Sequence, residues 1–162
     1  MKYLLVIRHA KSSWNNDLLA DFDRPLNERG NHDAPIMAKR LLEKDVVLGA
    51  VISSSAIRAF STAVYFAKTY GINKVDIIRL DKLYQAPPRV FYEVIEAVDD
   101  SFDCIAIVSH NPGITEFVNE LTETKIDDMP TCGIFAVEVP IKSWKDFAKG
   151  EKDFWFFDSP KN

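Results

Sequence analysis

Leu4-Leu5-Val6-Ile7-Arg8-His9-Ala10-Lys11-Ser12 is the stretch on which the reading of this chain turns. Four apolar residues run directly into Arg-His. A continuous apolar run of this length fits a strand buried on both faces, as in a parallel sheet. The chain then leaves the sheet at Arg8 and His9, and open α/β sheets bind ligands outside the carboxyl ends of their strands. A guanidinium and an imidazole are thereby delivered together to the ligand edge. Taken alone, the stretch slightly favours a plainer reading, a strand end with a solvated Arg and a satisfied His.

Working outward, residues 13–30 are polar and carry Pro25 and Gly30, the composition of a long loop, and loops of that length in compact domains are usually functional. A helix follows to about Lys44. Asn27 or Asp33 is its cap, Pro35 is expected in the first turn, and Ala34, Met37, Ala38, Leu41 and Leu42 form its stripe. Residues 50–53 form a second strand. The next helix runs from about Ala56 to Tyr70, with Ile57, Phe60, Val64 and Ala67 as its apolar face and Gly71 as its stop. A third strand spans Val75 to Leu80, and Pro87-Pro88 opens a helix to about Val98. Cys104 to Val108 is the most apolar strand and belongs at the centre. His110-Asn111-Pro112-Gly113 leads into a helix from Ile114 to Leu121. Gly133 to Val139 and Asp153 to Phe157 close the chain, the last an aromatic strand near an edge. Strands alternating with helices predict a three-layer α/β/α fold with a mostly parallel, doubly wound sheet.

Length and composition set the bounds. A chain of 162 residues suits one domain, 1–162, and buries roughly 70% of its unfolded surface without staples. The net charge of −4 argues against a general nucleic-acid binder, yet a local cluster of Arg still sets the field in a cleft. Cys104 and Cys132 form no C-x-x-C pair, so no zinc or redox motif is present and both thiols are expected reduced. The first residues enter a strand directly, with no signal-peptide pattern, and no apolar run approaches the ~20 residues of a membrane helix. A cytoplasmic protein without membrane or nucleic-acid partners is expected.

The strand ends then combine. The first gives Arg8-His9. The second gives Ser53-Ser54-Ser55, with Arg58 one turn into the next helix, and the central strand gives Ser109-His110-Asn111. In a parallel sheet these ends share one edge, so two Arg and two His converge on a small site. Guanidinium forks suit phosphate oxygens, and a helix N-terminus adds positive potential. No P-loop, dinucleotide fingerprint or carboxylate cluster for Mg²⁺ accompanies them, so a phosphate pocket without metal or cofactor is expected. Neutral His is a competent nucleophile for phosphoryl transfer, and Arg can carry the charge of the transferring group. The three serines read as helix-capping groups, because no Gly-x-Ser-x-Gly elbow surrounds them.

Arg8 to Asn15 resembles the signature of the histidine phosphatase superfamily, which includes the cofactor-dependent phosphoglycerate mutases. Ser55 to Ala63 resembles its second motif, Ser109 to Gly113 its third, and Asp23 to Gly30 the loop before its first helix. The short length and His-Asn-Pro-Gly are similar to the SixA-type phosphohistidine phosphatase branch. The resemblance implies a phosphoglycerate mutase-like fold, His9 as the nucleophile that becomes phosphorylated, Arg8 and Arg58 as clamps on the phosphoryl oxygens, and His110 as a second phosphate contact. A backbone carbonyl is expected to hold the far nitrogen of His9. Lys11, Arg24 and Asn111 are candidate substrate contacts, Trp14 lines the mouth or packs under the loop, and His32 has no chemical role. One departure from the larger relatives stands out. The region that supplies their general acid is here Leu80 to Ala86, which offers Asp81 and Tyr84 and no acidic pair. An imidazole leaving group needs a proton less than an alkoxide does, so a phosphatase acting on phosphohistidine of a phosphotransfer protein is expected. Another small phosphorylated substrate, a phosphomutase of small metabolites, and a phosphate- or phosphoprotein-binding module without turnover are the alternatives.

Overall fold

The computed structural model describes residues 1–161. Six strands form one sheet: β1 (Lys2–Arg8), β2 (Ala50–Ser54), β3 (Ile78–Leu80), β4 (Cys104–Ser109), β5 (Ile134–Val139) and β6 (Asp153–Asp158), in the order β3-β2-β4-β1-β5-β6. The pairings β1–β4, β2–β4 and β2–β3 are parallel; β5 runs against both β1 and β6. The sheet is thus mostly parallel, with β4 and β1 central and the aromatic β6 at an edge, as expected. Four helices cover it: α1 (Glu28–Glu43), α2 (Ile57–Thr69), α3 (Pro88–Glu96) and α4 (Gly113–Leu121).

The apolar run of β1 does what a doubly covered strand requires. Leu4 and Val6 enter a core with Ile105, Ile107, Phe91 and Phe117, under α3 and α4. Leu5 and Ile7 enter the opposite core with Ala106, Val108, Met37 and Phe66, under α1 and α2. All four β1 residues are fully buried, each worth roughly 1.5–3 kcal/mol relative to exposure. Two covered faces make this central ladder the rigid part to which the site is attached.

Three local expectations are corrected. Asn27 caps α1 by accepting from the Gly30 N–H, so Pro35 falls inside the helix and not in its first turn. The helix continues through the missing N–H because Ala34, Met37, Ala38 and Leu41 are packed on the sheet, while Leu42 points outward. In α2 the buried face is Ala59, Thr62, Ala63, Phe66 and Ala67, with Arg58 turned inward; Ile57 is exposed and Phe60 and Val64 only half-buried. Small residues let this helix lie close to the sheet, which turns Arg58 toward the strand ends. Finally, β3 is shorter than expected. Asn73 accepts from Val75 N–H and starts a 3-10 turn at Lys74–Asp76, leaving Val75 in solvent.

Candidate functional site

Arg8 and Ser109 are paired neighbours in the parallel ladder, so the residues that follow them, His9 and His110, leave adjacent strands side by side. Their rings lie 5.1 Å apart between centroids. Arg58 comes from the first turn of α2, after β2. The chain ends thus bring Arg8, His9, Arg58 and His110 onto one cavity of about 330 Å³, together with Lys11, Arg24 and Asn111. The cavity is also lined by Ser12, Trp14, Asp21, Gln85 and Thr131, which sequence reasoning did not assign to it, Trp14 excepted.

His9 is only 6% exposed. Its Nδ1 lies 2.7 Å from the carbonyl oxygen of Ala10. A carbonyl only accepts, so Nδ1 carries the hydrogen and Nε2 keeps its lone pair. Ala10 is itself fixed, because its N–H donates to Thr62 Oγ1 at 2.9 Å and that hydroxyl donates to Arg58 O at 2.8 Å. Burial holds the His9 imidazole well below its ordinary pKa, opposed by the Ala10 carbonyl and reinforced by the charges of His110, Arg58 and Arg8. The ring is therefore neutral near pH 7, with a nitrogen able to attack. Arg58 Nε stands 3.4 Å from that nitrogen.

His110 is 4% exposed, and burial together with the Arg58 charge pushes its pKa down to about 3. Its Nε2 lies 2.8 Å from Ser54 Oγ, and Ser54 Oγ also accepts from Ala56 N–H at 3.2 Å. The Ser54 hydroxyl has no other acceptor for its hydrogen among the described residues, so it donates to Nε2. The hydrogen of His110 then sits on Nδ1, which is buried without a hydrogen-bond partner. This unpaired N–H is an unmet donor in a residue that lines the cavity. The expectation that the serines cap α2 is corrected here: the N-cap is Ala56, with no side-chain cap, and Ser54 serves His110.

The loop after β1 folds over this edge, pinned by a bridge between Ser12 and Leu26. Its 3-10 turn, Asp21–Asp23, places Asp21 against the arginines. Arg58 Nη2 reaches Asp21 Oδ2 at 3.0 Å, and Arg24 Nε reaches Oδ1 at 3.1 Å. The Tyr84 hydroxyl donates to Oδ2 as well. Burial works to raise the Asp21 carboxyl, but the hydrogen bonds from Tyr84, Arg58 and Arg24 overcome it and bring it to about 2. Asp21 is therefore a permanent anion near neutral pH. Tyr84 is pushed the other way, by burial and by the hydrogen bond it gives to Asp21. Its ring also meets His110 edge-on at 5.4 Å.

The remaining candidates separate clearly. Arg24 is buried in the cavity wall, donating to Ser12 Oγ at 2.8 Å and Ser13 O at 3.1 Å, with its guanidinium 3.5 Å from the ring centre of the exposed Trp14. Trp14 thus forms the mouth. Lys11 is exposed at the rim. Asn111 lines the cavity, but its amide is spent on Asp128 Oδ1, Met129 O and the Thr115 hydroxyl. Asp81 does not line the cavity, so of the two acid candidates only Tyr84 touches the site's network. His32 lies outside it, exposed beside Asp33. Among the described residues no group of three or more His, Cys, Asp or Glu is placed to hold a metal ion, and no helix is long and apolar enough to cross a membrane. Burial pushes the Cys104 thiol up to about 12, and both cysteines are free and buried.

Residues 4–85 match the pattern of the histidine phosphatase superfamily (branch 1). The chain belongs to that superfamily. An uncharacterized protein of Mycobacterium leprae is 30% identical over 145 residues, 82% of this chain and 87% of the relative. Membership supports a phosphatase, as anticipated from the sequence. In three dimensions, a protein histidine phosphatase SixA complexed with tungstate superposes with a TM-score of 0.82 at 20% identity, covering 98% of this chain and 97% of that one. The SixA protein of Agrobacterium tumefaciens gives 0.80 at 23% identity, covering 98% and 99%. At these identities the likeness establishes the fold, the phosphoglycerate mutase-like α/β architecture expected from the sequence.

Proposed function

We propose that this superfamily member hydrolyses phosphohistidine on a phosphotransfer protein, without metal, through a phosphohistidine intermediate at His9. The observation that carries this reading is Asp21, held by Arg58, Arg24 and the Tyr84 hydroxyl. It is a carboxylate on the wall of a cavity that otherwise holds two neutral imidazoles and three guanidinium groups. A carboxyl held near 2 donates no proton at neutral pH. Tyr84, bound to it as a donor, is a weaker acid than an ordinary phenol. An alkoxide leaving group would depart from such a site slowly, whereas an imidazole needs little proton assistance. The tungstate held by the SixA protein of the same fold is a tetrahedral oxyanion, which supports an anion site for the phosphoryl group.

In this scheme Arg8 and Arg58 bind the phosphoryl oxygens and His110 Nδ1–H donates to one of them. Arg24 borders the same oxygens, Lys11 meets the substrate at the rim, and Asn111 orders the loop behind. The Nε2 lone pair of His9 attacks phosphorus. The phosphorus–nitrogen bond of the substrate breaks, and its electron pair leaves with the substrate imidazole, which departs neutral because its other ring nitrogen already carries a proton in the substrate. Water then attacks the phosphorus on His9, releasing inorganic phosphate and restoring the lone pair. Positioning plus charge stabilisation is most of what phosphoryl transfer requires.

The test is a brief exposure of the protein to a labelled phosphohistidine protein. The expected product is an acid-labile, base-stable label on the wild type and none on His9→Ala. Hydrolysis by His9→Ala is expected to fall about a thousandfold or more, roughly 4 kcal/mol of transition-state stabilisation. Wild-type rates in that variant would sink the proposal. The lack of a proton donor also suits a binding module, which predicts tight vanadate binding and no turnover of any donor.

A further inference from the structure

Beside the catalytic pocket lies a second cavity of about 240 Å³, and the two share Arg8, Lys11 and Thr131 as a common wall. The second cavity adds Arg29 and Lys161. Its four cations come from four parts of the chain: Arg8 from the end of β1, Lys11 from the loop after it, Arg29 from the first turn of α1, and Lys161 from the segment after β6. Each is placed by its own contact. Asn27 N–H donates to Lys11 O at 3.0 Å, and the bare backbone of Gly30 lets that carbonyl lie against α1, where a Cβ would stand 2.1 Å from it. Lys11 is thereby set beside Arg29. Arg40, further along α1, donates to Ser159 O at 2.9 Å and reaches Asp158 Oδ1 at 3.4 Å, folding the last residues back toward the same helix.

The result gathers four cations around one small space in a protein of net charge −4. Two carboxylates act on them, Asp128 on Arg8 and Asp33 on Arg29. Asp33 Oδ2 stands 3.4 Å from Arg29 Nε, without hydrogen-bond geometry. Two carboxylates do not balance four like charges, and a further anion entering this space lowers their mutual repulsion. Arg8 Nε, on the shared wall, is buried and has no hydrogen-bond partner. Arg8 thus stands between two spaces that both favour negative charge.

We infer that the second cavity is an anion subsite for the same substrate molecule whose phosphoryl group enters the catalytic pocket. It receives a second anionic group, a carboxylate or a further phosphate. The inference rests on the phosphatase reading above and gives it a specificity: substrates carrying an anion next to the phosphoryl group are preferred.

The test uses the full chain and the double variant Arg29→Gln/Lys161→Gln, because neither residue lines the catalytic pocket. Four donors separate the possibilities: phosphoramidate, a phosphohistidine peptide flanked by Asp and Glu, the same peptide with Asn and Gln, and a bisphosphorylated sugar against its monophosphate. The wild type is expected to favour the acidic over the amide peptide in kcat/KM by about three- to tenfold, mainly through KM. The double variant is expected to lose that preference and keep the wild-type rate on phosphoramidate. A preference for the bisphosphate, lost in the variant, also supports the subsite and assigns its anion to a second phosphate. No preference in the wild type, a preference that survives in the variant, or an equal loss on phosphoramidate overturns the subsite. A wild type inactive on every donor defeats the phosphatase reading, and this inference with it.

Discussion

Arg58 Nε lies 3.4 Å from His9 Nε2, the nitrogen that the Ala10 carbonyl leaves without a hydrogen. The cation that would bind a phosphoryl group thus rests against the lone pair that would attack it. Both cannot use that lone pair at once. Substrate oxygens must draw the guanidinium onto themselves as His9 attacks. Arg58→Lys keeps a positive charge but loses the planar fork that spans Asp21 and the imidazole. Rapid-quench measurement of phosphoenzyme formation is expected to show a fall of about a hundredfold, the scale of losing one aimed donor.

Ser54→Ala tests the hydrogen assignment on His110. Without the hydroxyl, nothing directs the hydrogen to Nδ1, and the Ala56 N–H also loses its acceptor. A loss of about 1–3 kcal/mol in stability is expected. On activity, kcat is expected to fall about tenfold or more with KM little changed, and Ser54→Thr to restore part of it. Nitrogen NMR of the labelled histidines reads the tautomer directly.

The two buried imidazoles also predict how stability depends on pH. Both have native pKa values below the ordinary 6.5, His110 near 3. Between those values the unfolded chain binds protons that the native state refuses, so stability rises with pH there and is lost as pH falls. The melting temperature is expected to be flat from about pH 8 to 7 and to drop from about pH 6.5 to 4.5, before most carboxylates titrate. Denaturant titrations should give a slope approaching two protons in that window. A flat profile through it would show that the histidines are not buried neutral.

Asp21→Asn removes the anion that Arg58 and Arg24 hold. An incoming oxyanion then no longer displaces a resident charge. Inorganic phosphate and vanadate are expected to inhibit at concentrations about threefold lower or more, a modest gain because Asp21 is partly exposed. Inhibition constants measured against phosphoramidate decide it; unchanged constants would show that Asp21 and the oxyanion do not compete.

Gly30→Ala sets two effects against each other. Alanine favours a helix over glycine by about 1 kcal/mol. The new Cβ, however, would meet the Lys11 carbonyl oxygen at 2.1 Å, and backbone has little room to yield. The clash wins, with an expected net destabilisation of about 1–3 kcal/mol. Chemical denaturation measures it, and a stabilised variant would contradict the close approach of Lys11 to α1.

Patterns with a short period were legible before the structure. The apolar run of β1 announced a doubly covered strand, and strand-end logic joined Arg8, His9, Arg58 and His110, because a parallel sheet puts those ends on one edge whatever the loops do. That His9 needs a hydrogen-bond partner on one ring nitrogen was legible, but which carbonyl supplies it was not. What escaped was set by loop paths. Asp21 is one of several acids in a polar stretch, and its position three residues before Arg24 does not reveal that the loop folds back over α2. Ser54 looked like a cap because a strand was giving way to a helix, and the sequence holds no sign that His110 would claim its hydroxyl. The stripe of α2 was misread because periodicity counts large apolar residues, whereas this helix buries alanines and an arginine.

One backbone contact has a wider consequence. The N–H of His9 donates to Ser109 O at 3.1 Å, extending the central β1–β4 ladder by a rung into the active site. The spacing of the two histidines is therefore inherited from the sheet and not from the loop that covers them. Amides of such a ladder exchange with solvent only when the whole domain opens. A substitution in the loop that loosens its cover would therefore leave the spacing of His9 and His110 in place for as long as the native ladder lasts.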